Sequence, residues 1–252
     1  MAIKSGETTY HQAKRGIVQD GLVLNLDAGV DESYSGGTTW RDLEGGNNGT
    51  LTNMTDNFDS ANGGSLTFDG SNEYVTCGAK SLFEFTTGDS ISTSCWVKPT
   101  NTSSQTYQAM FTIGGSASVS RDRVYQVRIR SNRKVDALYR NSSNNAWHIY
   151  MTNSTHVNNN EWVNISTTYT YASGGTWRIY VNGEIVSSAY DQGNGNAAPI
   201  NTTNDELFIG HGEDANGEEW LGNISNLLLY RRYLSAAEVS QNYNVTRHRF
   251  GV

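Results

Sequence analysis

The residues best suited to chemistry in this chain lie in the motif Asp214-x-Asn216-x-Glu218. Its side chains place oxygen atoms at alternating positions around a glycine, and oxygen atoms are the ligands that Ca²⁺ prefers in proteins. Asp27 and Asp69 each lie at the end of a predicted strand and are further candidate ligands. We expect no required cofactor, with a structural calcium ion as the hypothesis to test. The favoured alternative is a solvated hairpin loop for the motif and a turn at Asp69, because Asp-Gly stabilises turns.

Aromatic side chains predict a second kind of site, one that binds carbohydrate. The candidates are Trp147, His148, Tyr150 and Trp220, because aromatic rings stack on the faces of sugar rings and nearby polar groups bond the hydroxyls. The competing interpretation places these rings in the hydrophobic core, where aromatic side chains contribute large buried areas. Both interpretations stay open on the sequence alone.

Signatures of an enzyme do not occur where this type of chain would carry them. Glycoside hydrolysis needs two carboxylates that flank the scissile bond. The acidic clusters, such as Asp31-Glu32 and Asp205-Glu206, lack the alternating Glu-x-Asp-x-Glu strand that would present such a pair. Neither G-x-S-x-G, H-E-x-x-H nor a phosphate-binding loop is present. We therefore expect a non-enzymatic protein, with a glycoside hydrolase as an outside alternative.

Both chain ends carry basic and apolar residues although the protein as a whole is acidic. The candidate docking residues are Lys4, Tyr10, Lys14, Arg15, Arg247, Arg249 and Phe250. Their types predict docking onto an acidic or neighbouring protein surface, with the N-terminal arm becoming ordered when it binds. The alternative is that these residues only keep loose tails soluble.

Composition excludes several classes of function. A formal net charge of −7 disfavours a general nucleic-acid surface, because phosphate binding requires positive charge. No apolar run approaches the roughly 20 residues that cross a bilayer, and no apolar stretch follows the basic N-terminal residues, so we expect neither a membrane span nor a secretory signal. Cys77 and Cys95 each fall within a predicted strand and are expected to be buried small hydrophobes rather than a disulfide.

Alternation of apolar and polar residues runs through most of the chain. In VYQVRIR, Tyr125, Val127 and Ile129 fall on one face, and TWRIYVNGEIV contains an Asn-Gly pair typical of a two-residue hairpin turn. About a dozen such segments, separated by turn residues, predict an all-β fold in the form of a two-sheet antiparallel jelly-roll sandwich. The predicted organisation is an N-terminal docking arm over 1–20 and one jelly roll with a C-terminal tail over 21–252.

A short helix is predicted near the C-terminus, in LSAAEVSQNY. Ser235 is a favourable N-cap, and Glu238 three residues later completes a capping-box pattern. Ala236, Val239 and Tyr243 can lie along one face of such a helix. We expect it to cover an open sheet edge or an end of the sandwich, because coverage protects unpaired strand groups from association.

Several motifs together resemble a known family. FDGSNEYV, the YVNGE hairpin and the strand-then-helix segment LLLYRRYLSAAEV are similar to motifs of the concanavalin A-like lectin/glucanase superfamily, in its laminin-G-like jelly-roll branch. The resemblance runs from Gly21 to Asn244 and implies the fold more strongly than any activity, because this fold carries many functions. The family often has an acidic pair after the isoleucine of Gly-x-Ile. Here Ser225 and Asn226 follow Ile224, so a role of that pair is not carried over.

The two ends of the chain narrow the resemblance. GIVQDGLVLNLDAG and QNYNVTRHRFGV are similar to segments of virion structural proteins of tailed phages, especially marine phages. This resemblance implies a non-enzymatic capsid decoration protein on the virion surface, made in the host cytoplasm. The implied partners are the major capsid protein or another virion protein, a surface polysaccharide, and a second copy in a homo-oligomer. The alternatives are a carbohydrate-binding adhesion module and a tail or fibre component.

Overall fold

Two antiparallel β-sheets pack face to face in the computed structural model, as the alternating sequence predicts. The structure describes residues 16–55, 57–114, 123–140, 146–172, 175, 177–193, 205–212 and 218–252. The strands are β1 (Leu22–Asp27), β2 (Thr39–Trp40), β3 (Gly49–Thr52), β4 (Phe58–Asp59), β5 (Ser65–Asp69), β6 (Tyr74–Ala79), β7 (Ser90–Pro99), β8 (Tyr107–Gly114), β9 (Arg123–Arg130), β10 (Val135–Arg140), β11 (Trp147–Thr152), β12 (Val163–Thr170), β13 (Arg178–Val181), β14 (Glu184–Ile185), β15 (Ser188–Gln192), β16 (Glu206–Ile209) and β17 (Leu221–Tyr230). One α-helix, α1 (Ala236–Thr246), follows them within this described part of the chain.

The strand order identifies the sandwich as a jelly roll with many non-sequential neighbours. Sheet A has eight strands in the order β14-β13-β12-β7-β17-β5-β4, with β1 paired to the remaining length of β17. Sheet B has nine strands in the order β15-β11-β10-β9-β8-β16-β6-β3-β2. Because β9, β10 and β11 are consecutive in both sequence and space, their side chains form one continuous patch on each face of sheet B.

The core lies between the two sheets and follows the predicted period of two. Tyr125, Val127 and Ile129 of sheet B face inward, and Trp177 and Ile179 meet them from sheet A. All five side chains are buried. The aromatic packing is direct, since the Trp177 ring stacks on the Tyr125 ring with centroids 5.1 Å apart. The intervening residues of β9 therefore face away from the core.

Turn and cysteine predictions are confirmed. Asn182 and Gly183 connect β13 to β14 with φ values of 50° and 78°, the left-handed conformation that an Asn-Gly hairpin turn requires. Cys77 and Cys95 are buried and unpaired. Burial raises the pKa of the Cys77 thiol to about 12, so this thiol stays protonated and unreactive near neutral pH.

The C-terminal helix covers the outer face of sheet A and also contacts the edge strand β14, so the predicted edge coverage is present in part. Leu228 and Tyr230 of β17 point away from the core and pack with Val239 of α1. Sheet A leaves this second face apolar, so a helix laid across it removes more apolar surface from water than an edge position would. Ala236, predicted to be on the packing face, is exposed.

The described N-terminal segment packs on the same helix. Val18 N–H donates to Asn242 Oδ1 at 2.8 Å, and the Gln241 side chain donates to the Gly16 carbonyl at 2.8 Å. Ile17 and Val18 are buried beside Tyr230. Residues 16–18, inside the range predicted for the arm, are therefore part of the packed domain. None of the helices in the part of the chain that the structure describes is long and apolar enough to cross a membrane.

The predicted capping box is present at the start of α1. Ser235 Oγ accepts from Glu238 N–H at 3.3 Å, and Glu238 Oε2 accepts from Ser235 N–H at 2.8 Å. Arg232 donates to the same carboxylate at 2.6 Å. Hydrogen bonds from Arg232 and from the Ser235 backbone lower the pKa of Glu238 to about 2, so the carboxylate keeps its charge and its capping role throughout mildly acidic conditions.

Replacing the cap tests how much α1 depends on it. We expect Ser235→Ala to lower the free energy of unfolding by about 1 kcal/mol, because an N–H of the first turn loses its acceptor. Ser240→Ala, in the middle of the same helix, is the matched control and should change stability by less than about 0.5 kcal/mol. Urea denaturation followed by circular dichroism measures both. Equal losses in the two variants would contradict the capping role.

Candidate functional site

The candidate site is a cavity of about 220 Å³ on the outer face of sheet B. Its walls come from strands β8, β9, β10, β11 and β15, and from Glu218, three residues before β17 begins. Its lining residues are Tyr107, Arg123, Arg128, Leu138, Trp147, Ile149, Gln192 and Glu218. The set combines aromatic rings, guanidinium groups and an apolar floor, which is the composition of sites that orient a small polar molecule.

Strand register brings these side chains together. Arg128 of β9 lies opposite Asp136 of β10, because the two strands form an antiparallel hairpin. On the other side of β10, Leu138 pairs with Ile149 of β11. Successive outward residues of β10 therefore place Asp136 and Arg140 at opposite ends of the patch, with the apolar Leu138 between them.

Glu218 occupies the middle of the charged part and is almost fully enclosed by donors. Its carboxylate accepts from Arg123 at 3.1 Å and from Arg128 at 2.9 Å. The amide of Gln126 donates to it at 2.8 Å. Each of these side chains is buried, with Arg123, Arg128 and Glu218 exposing 2%, 4% and 7% of their surface. Buried ions of this kind are tolerated only when they are paired and hydrogen-bonded.

The ion pairs continue beneath the cavity through Asp136. This carboxylate accepts from Arg128 Nε at 3.2 Å and from Arg130 Nε at 2.7 Å. Arg130 also pairs with Asp191 of β15 at 2.6 Å. Burial raises the pKa of Asp136, and the two guanidinium groups act in the opposite direction. The result is a chain of alternating charges that runs from Glu218 through β9 and β10 to the edge strand β15.

Aromatic rings fix the guanidinium groups from the other side. The Arg128 guanidinium lies 3.7 Å from the centroid of the Tyr107 ring, a close cation–π contact. Arg123 and Arg140 both lie over the Trp147 ring, each at 5.3 Å. Trp147, predicted as a sugar-stacking ring, thus does line the cavity, and its ring also orients two arginines.

The other predicted sugar-binding residues lie elsewhere, so the structure corrects their assignment. Trp220 is fully buried in the core, and no face of its ring is open to a sugar. His148 is buried and stacks on Tyr139 with centroids 5.0 Å apart; burial lowers the pKa of its imidazole. Tyr150 packs against the core and against Tyr190. Adjacent residues of β11 face opposite sides of the sheet, which separates Trp147 from both of its predicted neighbours.

The three predicted calcium ligands that the structure describes are each used in other interactions. Glu218 is paired with arginines, and Asp27 with Arg249 at 2.7 Å. Asp69 accepts from the Ser71 N–H at 2.9 Å, which is the turn interaction given as its alternative. No group of three His, Cys, Asp or Glu side chains that could hold a metal occurs within the described ranges. The remaining two motif residues, Asp214 and Asn216, fall outside the described residues.

Two of the predicted docking residues are used inside the fold. Phe250 is buried and stacks on Trp96 with centroids 4.1 Å apart. Arg249 forms the ion pair with Asp27 that removes both side chains from their predicted roles. Arg247 is exposed at the end of α1. The docking residues that lie outside the described part of the chain are Lys4, Tyr10, Lys14 and Arg15.

The positions of the family's acidic pair also have structural uses here. Ser225 Oγ donates to the Gly64 carbonyl at 2.7 Å. Asn226 Oδ1 accepts from the Trp96 N–H at 3.0 Å, where the β7–β17 register shifts. Neutral side chains suit these buried positions because each one completes a backbone hydrogen bond.

The arginine cluster was missed in the sequence, although a signal for it was present. The polar residues between the inward positions of VYQVRIR are Gln126, Arg128 and Arg130, and the following strand carries Asp136. Opposite charges at outward positions of two strands joined by a tight turn predict cross-strand ion pairs. Their burial could not be predicted, because Glu218 closes the cluster from 90 residues further along the chain.

Comparison with known families agrees with this fold. A family model described as the concanavalin A-like lectin/glucanases superfamily matches residues 69–240. The match covers more than half of the 252 residues, and the chain therefore belongs to this superfamily. The jelly-roll, laminin-G-like part of the sequence prediction is thereby confirmed.

Individual relatives are distant and larger. The rat (Rattus norvegicus) protein called Sushi, von Willebrand factor type A, EGF and pentraxin domain-containing protein 1 is 33% identical over 107 residues, which is 38% of this chain and 3% of that protein. The corresponding mouse (Mus musculus) protein is 32% identical over 107 residues, with the same shares of the two chains. The chain thus spans a small fraction of the curated relatives it matches.

Solved structures show the same fold in larger proteins. The receptor-binding domain of botulinum neurotoxin type G superposes with a TM-score of 0.59 and 18% identity, over 90% of this chain and 51% of that one. The sialidase of Trypanosoma rangeli, in complex with the inhibitor DANA, superposes with a TM-score of 0.63 and 15% identity, over 95% of this chain and 38% of that one. At these identities the likeness establishes the fold alone.

Removing the central carboxylate tests the architecture of the site. We expect Glu218→Gln to lower the free energy of unfolding by about 3 kcal/mol, because Arg123 and Arg128 lose their shared buried counter-ion. Glu184→Gln, at an exposed hairpin position, is the matched control and should change stability by less than about 0.5 kcal/mol. Chemical denaturation measures both. A calcium role for Glu218 predicts a different result: added Ca²⁺ would raise the unfolding midpoint of the wild type but not of Glu218→Gln.

Proposed function

We propose that this protein is a non-enzymatic carbohydrate-binding module that binds a sugar unit in the cavity on sheet B. One observation carries the proposal: the cavity joins an apolar floor, Leu138 and Ile149, to aromatic rings and rigid guanidinium donors. A sugar ring has apolar C–H faces and a rim of hydroxyls, so this combination matches both of its surfaces. Membership of a lectin-containing superfamily is consistent with such a role but does not establish it.

The carboxylates of this face favour binding over hydrolysis. Glu218, Asp136 and Asp191 each accept a hydrogen bond from at least one arginine. A glycoside hydrolase needs one carboxylic acid that can release a proton to the leaving group and a second carboxylate that is available to attack or to activate water. Carboxylates whose oxygen atoms already accept hydrogen bonds from guanidinium groups are occupied, which suits a structural role.

The positions of the chain ends support a displayed adhesion module. The segment after Gly16 and the helix α1 lie on the outer face of sheet A. The cavity lies on the outer face of sheet B, on the other side of the core. A protein attached to a particle or to a larger chain through its ends would therefore present the cavity to the surroundings.

Truncation of Trp147 tests the carbohydrate-binding function. We expect Trp147→Ala to weaken retention on a glycan array by at least about tenfold, because the cavity loses a wall and two arginines lose the ring that orients them. Phe58→Ala is the matched control, since this phenylalanine is 45% exposed on sheet A. If Phe58→Ala and Trp147→Ala weaken retention equally, the sugar does not bind in this cavity.

A second proposed function places the module on a phage virion, as a capsid decoration protein or a tail or fibre component. The specific support is the likeness of both chain ends to virion structural proteins together with their convergence on α1. In this proposal the arm binds the major capsid protein or a neighbouring copy of the chain, and the cavity faces outward. Carbohydrate binding and virion display are compatible, because residues 16–18, which follow the arm, and the cavity lie on opposite faces.

Deleting the arm tests the virion proposal. The deletion should remove residues 1–15 and stop there, because Ile17 and Val18 are part of the packed domain. We expect the shortened protein to keep its unfolding midpoint and to lose binding to purified particles. The full-length variant Arg178→Gln, changed at an exposed position on sheet A, is the control for loss of a basic residue elsewhere. Full occupancy of the particles by the shortened protein would exclude docking through the arm.

A further inference from the structure

The chemistry of the cavity also indicates which sugars it accepts. We propose that it selects an anionic sugar unit, carrying a carboxylate or a sulfate group, through the Nη2 amine of Arg128. This inference rests on the proposed carbohydrate-binding function and names the class of ligand. The two anionic groups share the chemistry that the site recognises, namely oxygen acceptors with negative charge.

Arg128 is held at three points in a way that presents one edge of its guanidinium. Its Nε donates to Asp136 at 3.2 Å, and its Nη1 donates to Glu218 at 2.9 Å. Tyr107 covers the planar face at 3.7 Å. These contacts occupy two of the five N–H donors that a guanidinium carries. The Nη2 amine remains, and no acceptor for it is present among the described residues.

The burial of Arg128 gives this remaining donor its importance. The residue exposes only 4% of its surface and yet lines the cavity. Water alone can satisfy the Nη2 amine in the free protein. A ligand oxyanion that replaces this water forms a charge-assisted hydrogen bond, which is shorter and about twice as strong as a neutral one. Because the guanidinium is already fixed, little side-chain entropy is lost when the ligand binds.

The groups beside Arg128 suit an anion although the whole chain carries a formal charge of −7. Arg123 and Arg128 both line the cavity, beside the carboxylate of Glu218 that they share. A neutral sugar would use the apolar floor alone. An acidic sugar would also use the rigid donor of Arg128.

Three oligosaccharide probes with related backbones test the inference on the full-length protein. These are oligomers of galacturonic acid, oligomers of a sulfated galactan without carboxylates, and neutral galactose oligomers, each measured by calorimetry. We expect one or both acidic probes to bind about 10- to 100-fold more tightly than the neutral one. Their binding should weaken as salt is raised, because screening reduces charge–charge attraction. The comparison between the two acidic probes tells whether carboxylate or sulfate is preferred.

A charge-preserving variant separates the donor geometry from net charge. Arg128→Lys keeps the positive charge but loses the planar fork and the Nη2 donor. We expect it to reduce the preference for the acidic probes by about tenfold, while its thermal unfolding shows that the protein is still folded. Arg247→Lys, an exposed arginine at the end of α1, is the matched control and should keep the preference.

The possible failures are distinguishable. Equal binding of the neutral and acidic probes, lost in Trp147→Ala, would overturn the anionic preference and leave carbohydrate binding in the cavity intact. A preference for acidic probes that survives in Arg128→Lys and in Trp147→Ala would also overturn the inference, because the anion would bind elsewhere. Binding of none of the three probes, nor of any glycan on the array, would remove the proposed function and the inference with it.

Discussion

The outer face of sheet B depends on one shared carboxylate, that of Glu218. Arg123 and Arg128 lie beside each other under almost complete burial, and two guanidinium groups cannot be left there without a counter-ion. Glu218 supplies it from the segment that leads into β17, so the long connection between β16 and β17 is tied back onto β9. The cavity exists because this tie holds its charged wall in place before any ligand arrives.

The fold could be predicted further than the site, for a physical reason. Inward positions such as Tyr125 and Ile179 repeat with the period of a strand, and Asn182-Gly183 marks its turn within a few residues. These are local signals. The position of α1 was predicted only in part. Its contact with the edge strand β14 matches the expected edge coverage, but its packing on the face of sheet A depends on how much apolar surface a distant strand leaves uncovered. Leu228 and Tyr230 leave it on the outer face of sheet A.

Site residues were predicted from their chemical type, and type alone does not fix the partner. Asp27 was expected to bind a metal and Arg249 to dock onto another protein, yet they pair with each other across 222 positions of sequence. Trp147 and His148 are neighbours in the chain and face opposite sides of their sheet. Only Trp147 reaches the cavity. The alternation of side chains along a strand can be read from the sequence and would have separated Trp147 from His148. The pairing of Asp27 with Arg249 could not be read from it, because the two residues are distant in sequence.

The helix α1 and the cavity lie on opposite faces of the sandwich, and this arrangement has a mechanical consequence. A pull between α1 and a ligand in the cavity would run across the sandwich, perpendicular to the strands of both sheets. Few backbone hydrogen bonds lie along that direction. The path crosses instead through side chains, where the Tyr125 and Thr167 hydroxyls meet at 2.6 Å and the Trp177 ring stacks between Tyr125 and Tyr169. Resistance to a pull along this axis therefore comes from side-chain contacts in the aromatic core that join the two sheets.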